Sequence, residues 1–105
     1  MDELGMKYEF SAKVYHHSSS PDLPGWMFVK LPEELSREIR KQFKELEEGW
    51  GRMRVTVRTG DSQWQTSIWF DTKQDRYLLP IKAAIRKKEK IVKDIIVDIA
   101  IWINV

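Results

Sequence analysis

The chain has 105 residues, no cysteine, and a net charge of +2 from 18 basic and 16 acidic side chains. This length holds one domain around one core, and the missing thiols exclude disulfides, thiolate catalysis and sulfur-ligated metal. So even a charge balance gives no general affinity for nucleic acid, and no stretch is long and apolar enough to cross a bilayer as a helix.

Met1-Asp2-Glu3-Leu4-Gly5 lacks the basic start and apolar run of a secretory leader, so a soluble cytoplasmic protein is expected. Tyr8–Tyr15 alternates, with Tyr8, Phe10, Ala12 and Val14 on one face and Lys7, Glu9, Ser11 and Lys13 on the other. That pattern predicts a half-buried strand. His16 to Gly25, rich in Ser and Pro, reads as a loop. Trp26–Leu31 is apolar on both faces, as a central strand would be.

Pro32 suits a first helical position, where its missing N–H costs nothing. Glu33 and Glu34 favour the dipole of a first turn. Leu35, Ile39, Phe43 and Leu46 then form a stripe at helical spacing, predicting a helix over Glu33–Glu48 that stops at Gly49. Arg52–Arg58 alternates again, with Met53, Val55 and Val57 inward and Arg52, Arg54 and Arg58 outward. Gly60-Asp61 suits a two-residue hairpin turn. Pairing Thr59 with Ser62 sets Val57 opposite Trp64, Val55 opposite Thr66, Met53 opposite Ile68 and Arg52 opposite Trp69.

Asp71–Asp75 reads as a polar turn and Arg76–Leu79 as a short strand. Pro80–Lys88 reads as a short helix burying Ile81, Ala84 and Ile85. Ile95–Ile103 closes the chain, with Ile95, Val97, Ile99, Ile101 and Ile103 on one face.

One pattern occurs twice. Phe28-Val29-Lys30-Leu31-Pro32 runs into a helix, and so does Arg76-Tyr77-Leu78-Leu79-Pro80. Each helix leads to another strand. The chain therefore reads as two pseudo-symmetric strand–helix–strand units. The expected fold is mainly β, a small closed or double-split β-barrel of about six strands with two helices.

Five short motifs occur in order. They are Trp26-x-Phe28-Val29-x-Leu31-Pro32, Gly49-Trp50-Gly51, Trp64-x-Thr66-Ser67-Ile68, Tyr77-x-Leu79-Pro80 and Lys82-x-x-Ile85-Arg86. Together they resemble the family known as domain of unknown function 1905, over about Tyr8 to Ile103. The resemblance implies a double-split β-barrel, distantly like antitoxin and AbrB-like regulators. Those build the barrel from two chains, and here both units lie in one. The family carries no established activity. The chain departs from the pattern at Lys93-Asp94, where relatives often have Gly-Asp. It departs again at Trp69-Phe70-Asp71, where they often have Phe-Pro. Both departures are expected in turns.

Three kinds of site are weighed. The first is a phosphate-binding surface formed by Lys82, Arg86, Lys87, Lys88, Lys90 and Lys93 with the strand residues Arg52, Arg54 and Arg58. Against it, charge runs are usually solvated faces. The second is a ligand or peptide pocket walled by Trp50, Trp64, Trp69 and Trp102, with Thr66, Lys82 and Arg86 as polar groups. Trp64 shares the inward face with Ile68 and reads as core. Trp69, Ile96 and Trp102 fall on the outer face and read as contacts for a partner, and Arg52 opposite Trp69 suits a cation–π pair.

The third is catalysis. Adjacent His16 and His17 point apart in an extended chain and chelate one metal poorly. Ser18-Ser19-Ser20 beside His17 reads as an ordinary loop. No nucleophile–base–orienter set assembles. The sequence thus points to a monomeric, non-enzymatic module binding a small ligand or a protein, without metal or cofactor. Nucleic acid is the alternative partner and a small enzyme the second alternative.

Overall fold

The computed structural model describes residues 6–17 and 25–104. In chain order it contains β1 (Lys7–His17), β2 (Trp26–Lys30), α1 (Glu33–Phe43), β3 (Arg52–Thr59), β4 (Ser62–Asp71), β5 (Arg76–Pro80), α2 (Ala83–Glu89) and β6 (Ile96–Ile103). Two 3₁₀ turns, Lys44–Leu46 and Gly49–Gly51, join α1 to β3. The strands pair antiparallel in the order β1-β2-β5-β4-β3-β6, and β6 returns to β1 to close a barrel. Closure leaves no unpaired edge to template aggregation. This is the mainly β, six-stranded architecture with two helices that the alternation and the repeat predict.

The repeat is visible in the pairing. Exchanging β1 with β4, β2 with β5 and β3 with β6 leaves the set of neighbouring strands unchanged. Superposing Leu31-Pro32 on Leu79-Pro80 carries Lys30 onto Leu78, and those two residues are ladder partners. A pseudo-two-fold axis therefore passes between them.

The inward alternation fills the barrel. Val14, Val29, Met53, Val55, Val57, Ile68, Leu79, Ile101 and Ile103 are fully buried. The β3–β4 hairpin takes the predicted register, with Val57 opposite Trp64 and Arg52 opposite Trp69. Gly60 turns it at φ +55, a left-handed value that suits glycine. Trp64 is 8% exposed and belongs to the core cluster, as its shared face with Ile68 predicts.

Several boundaries differ from expectation. His16 and His17 are not loop; they extend β1 and pair with Met27 and Trp26. The Ser18–Ser20 run, the rest of that loop and the first five residues lie outside the described residues. Helix α1 ends at Phe43, because Glu48 leaves the helix to exchange backbone hydrogen bonds with Arg52 at 2.6 and 3.0 Å. Leu46 is consequently 39% exposed and drops out of the buried stripe. Gly49 is not the helix stop. The glycine the fold requires is Gly51, at φ +76, where an added Cβ would lie 3.0 Å from the Phe70 Cβ.

Pro80 ends β5 and does not open α2, which starts at Ala83. Ala84 is exposed on α2, while Ile81 is buried ahead of the helix. Trp69-Phe70-Asp71 lies within β4 and not in a turn. Lys93-Asp94 does lie in a turn, where Asp94 adopts φ +76, a region Asp tolerates better than most side chains.

Candidate functional site at the open end of the barrel

The two helices treat the core differently. Helix α1 buries Ser36 and Ile39 fully. Ser36 Oγ accepts a hydrogen bond from the Tyr77 backbone N–H at 3.1 Å, pinning α1 to β5. Beside it the buried Tyr77 hydroxyl donates to Glu47 Oε2 at 2.5 Å. Glu47 Oε2 also lies 3.4 Å from Arg40 Nε, an ion-pair contact without hydrogen-bond alignment, since that Nε has no hydrogen-bond partner. The Arg40 guanidinium in turn lies 3.8 Å from the Phe70 ring centre. Burial, followed by the hydrogen bond and negative charge of Glu47, pushes the Tyr77 phenol far above its ordinary value, against the opposing charge of Arg40. This end is closed by a network that pairs the Tyr77 hydroxyl with Glu47 and leaves Arg40 in ion-pair contact with the same carboxylate.

Helix α2 buries no residue of its own. Next to its start is a pocket of about 270 Å³. Its walls are Trp26, Met27, Trp64, Thr66, Pro80, Ile81, Lys82 and Arg86, with the backbone of Gly25 and Ala83. The repeat builds it, since the Leu-Pro strands β2 and β5 run side by side and the Ile81 N–H donates to the Met27 carbonyl at 2.9 Å. Arg86 is oriented before any ligand arrives. Its Nε donates to the Ile81 carbonyl at 3.1 Å, and its Nη1 lies 3.6 Å from Met27 Sδ. Trp26 is stacked on Phe28 with ring centres 4.5 Å apart, yet stays 40% exposed. The indole N–H of Trp64 is buried with no hydrogen-bond partner. A buried donor without an acceptor costs about 1–3 kcal/mol, so its presence in a residue that lines a pocket asks for a reason.

The structure thus gathers Trp64, Thr66, Lys82 and Arg86, four of the groups the sequence offers for a pocket, but not with Trp69 or Trp102. The Trp50 side chain lies outside what is described. Trp69 is exposed on β4, with the Arg52 guanidinium 5.7 Å from its ring centre, as the register predicts. Arg52 is also held by Glu48 at 2.8 Å. Arg54 and Ser67 face each other beside Trp69 and line a shallow groove with it.

Trp102 points outward, as its alternation requires, but it is not a free contact surface. Only 9% of it is exposed, because Lys7 and Arg58 lie over its ring at 5.5 and 5.3 Å. Long cationic stems cover aromatic surface while keeping their charge in water. Ile96, at 68% exposed, does remain outside.

Lys87, Lys88 and Lys90 are exposed on α2 and at its end, where Lys90 takes the left-handed cap at φ +58. Arg86 turns from them into the pocket. Glu89 sits between these lysines and the β3–β4 hairpin, accepting a hydrogen bond from Ser62 Oγ at 2.5 Å. The basic groups are therefore split by acids and by their own pairings. Among the described residues no group of three or more His, Asp and Glu side chains gathers to hold a metal.

Among the described residues, other grooves are wider than this pocket, two of them markedly so. One, about 430 Å³, runs along the outer face past Glu9, Ser11, Arg58 and Asp98, where Ser11 already donates to Asp98. The other, about 450 Å³, runs beside α1 past Arg37, Arg40, Lys41, Lys44, Phe70 and Asp75. Sequence reading missed this second one, although Arg37, Lys41 and Lys44 stand at helical spacing. The second is lined mainly by long charged side chains, whereas the first mixes Glu9, Arg58 and Asp98 with small and apolar residues. The α2-end pocket combines two tryptophan walls, a fixed cation and a lining residue, Trp64, whose buried donor is unpaired, a mixture that small-molecule sites use. Arg40 Nε and Arg52 Nε are also buried and unpaired, but each of those guanidinium groups is held between one aromatic ring and one glutamate. Trp26, Met27 and Ile81 were not singled out in sequence as pocket residues, because the first two read as a central strand and Ile81 as the buried side of a helix.

Fold and site together define a pseudo-symmetric, single-chain β-barrel, sealed at one end and indented at the other. The model of the family described as Domain of unknown function (DUF1905) matches residues 10–101, and the chain belongs to that family. No curated protein matches it.

Proposed function

We propose that this protein is a non-enzymatic binding module whose ligand is a small molecule seated in the pocket beside α2. The observation that carries the reading is that Trp64, a wall residue of that pocket, has a buried indole N–H with no partner. The fixed Arg86 guanidinium supports it, since preorganised groups cost less to recruit on binding. Among the described residues the wall has donors but no carboxylate or imidazole to move a proton, which favours binding over catalysis.

The module works as a monomer, because one chain supplies both halves of the barrel. Its lack of cysteine fits a reducing compartment and supports a cytoplasmic reading. No helix among the described residues is long and apolar enough to cross a membrane. Nucleic acid would need a joined basic face. The Glu48 pairing of Arg52, the inward turn of Arg86 and the interposed Glu89 all weaken that alternative.

The test is a two-dimensional NMR screen of the labelled protein against a mixed fragment library. Binding should move the indole signals of Trp64 and Trp26 together. Shifts confined to Trp69 and Ile96 would relocate function to the outer face.

A further inference from the structure

We infer that the ligand of the α2-end pocket is a small organic anion, a flat apolar body carrying one carboxylate or phosphate. This rests on the proposal that the pocket binds a small molecule, and it adds the ligand's chemical class.

Three observations point there. The first is charge: the two ionisable side chains among the described lining residues are Lys82 and Arg86, both cationic. Arg86 uses Nε on the Ile81 carbonyl and turns Nη1 to Met27, and among the described residues its Nη2 has no partner, which leaves that nitrogen for an anion. A guanidinium fixed in this way offers a charge-assisted donor to an oxygen of a carboxylate or phosphate.

The second is size and shape. A cavity of roughly 150 Å³ accepts one benzene ring, so about 270 Å³ accommodates a ring with one ionic group. The Trp26 face and the Met27 and Ile81 side chains supply an apolar bed for that ring. Trp26 stays open to it because its other face is stacked on Phe28.

The third is the Trp64 N–H. It is sealed from solvent here, so a ligand oxygen reaches it only when a neighbour moves. Met27 lines the same pocket, and the three rotatable bonds of a methionine make it the adaptable wall. Binding then closes around the anion. The Trp64 donor, unpaired in the free protein, gains its acceptor only in the complex.

The experiment is a titration of the labelled protein with matched ring compounds: benzoate, phenyl phosphate, benzamide and benzyl alcohol. The indole N–H signals and tryptophan fluorescence are read together. The expected result is that the anions bind at least about ten-fold tighter than the neutral compounds, a gap that one charge-assisted contact supplies. Comparing benzoate with phenyl phosphate identifies the head group. Arg86→Gln should erase the preference for anions while residual ring binding persists. Trp64→Phe should leave the fold intact and weaken anion binding.

Equal affinity for the neutral and charged compounds would overturn the anion assignment and leave the binding-module reading standing. No displacement of the Trp26 and Trp64 signals by any of the four at millimolar concentration would overturn both. Should Trp64→Phe fail to fold, Arg86→Gln and Lys82→Gln decide the matter alone, since neither residue belongs to the core cluster.

Discussion

Replacing Tyr77 with Phe removes one oxygen atom from the sealed end of the barrel. That oxygen is the donor to Glu47 at 2.5 Å. A hydrogen bond to a charged acceptor contributes about 1.5–3 kcal/mol, so a loss of about 2 kcal/mol is expected at pH 7. For a domain of this size that corresponds to a fall of roughly 10 °C in Tm. The phenol also predicts a pH signature. Its ionisation is raised above the ordinary value of 10.0 in the folded protein. In the unfolded chain it releases its proton near pH 10, while the folded protein keeps it. Stability from this group is therefore complete below pH 10 and declines as pH rises above it. The decline approaches about 1.4 kcal/mol per pH unit. Tyr8 is pushed in the same direction by burial and by Glu38, and it remains in the variant. Urea unfolding followed by circular dichroism at pH 7, 10 and 11 measures both effects. The gap between wild type and Tyr77→Phe should narrow by about 1.4 kcal/mol between pH 7 and 11. A neutral-pH loss below about 0.5 kcal/mol, or a gap that stays constant to pH 11, would refute this account of the network.

Gly51→Ala should cost about 1–2 kcal/mol for its left-handed backbone, and more if Phe70 cannot yield at the 3.0 Å contact; an unchanged urea midpoint would show that the turn relaxes freely. Trp102→Ala should destabilise by about 3 kcal/mol, near the lower end for a buried aromatic, and a change within about 0.5 kcal/mol would return Trp102 to the outer contact surface. The triple change Lys87→Ala, Lys88→Ala, Lys90→Ala should alter stability by no more than about 0.5 kcal/mol. Wild-type tryptophan fluorescence should stay flat with duplex or single-stranded nucleic acid at low salt. A salt-sensitive response lost in the triple variant would instead make these lysines a phosphate-binding surface.

The barrel was legible because its information is periodic. Alternation in β1, β3, β4 and β6 names the inward residues, and Gly60-Asp61 fixes the hairpin register. The repeated Leu-Pro reveals the duplication. What stayed hidden depends on contacts between distant residues. Nothing local says that Glu48 will pair with Arg52 and shorten α1, or that Glu47 will reach a tyrosine in β5. Trp102 shows the same limit: alternation gives its direction, whereas its burial depends on Lys7 and Arg58 from other strands. For the site, sequence supplied Trp64, Thr66, Lys82 and Arg86 as residue types suited to a pocket. Alternation separated Trp64 from Trp69 and Trp102 by face, but it could not bring Trp64 together with Lys82 and Arg86, because that grouping requires knowing which strands are neighbours.

The duplication also explains why the open end is the place to look. Aligning the two Leu-Pro steps sets Ser36 against Ala84 and Ile39 against Lys87. At the α1 end, Ser36 grips a β5 amide and Ile39 is fully buried. At the α2 end, the equivalent alanine and lysine stand in solvent, so α2 cannot sit down on the barrel as α1 does. Ile91, just beyond α2, is buried and plugs part of the opening. The remainder lies between Trp26, Trp64 and Arg86. Two units with the same strand order have thus placed opposite chemistry on their helices. One end gives the Tyr77 hydroxyl its acceptor in Glu47, with Arg40 in ion-pair contact with the same carboxylate. The other holds a guanidinium in place and leaves an indole N–H without an acceptor. Groups satisfied within the protein stabilise the fold, and groups left unsatisfied beside a cavity are those a ligand can complete.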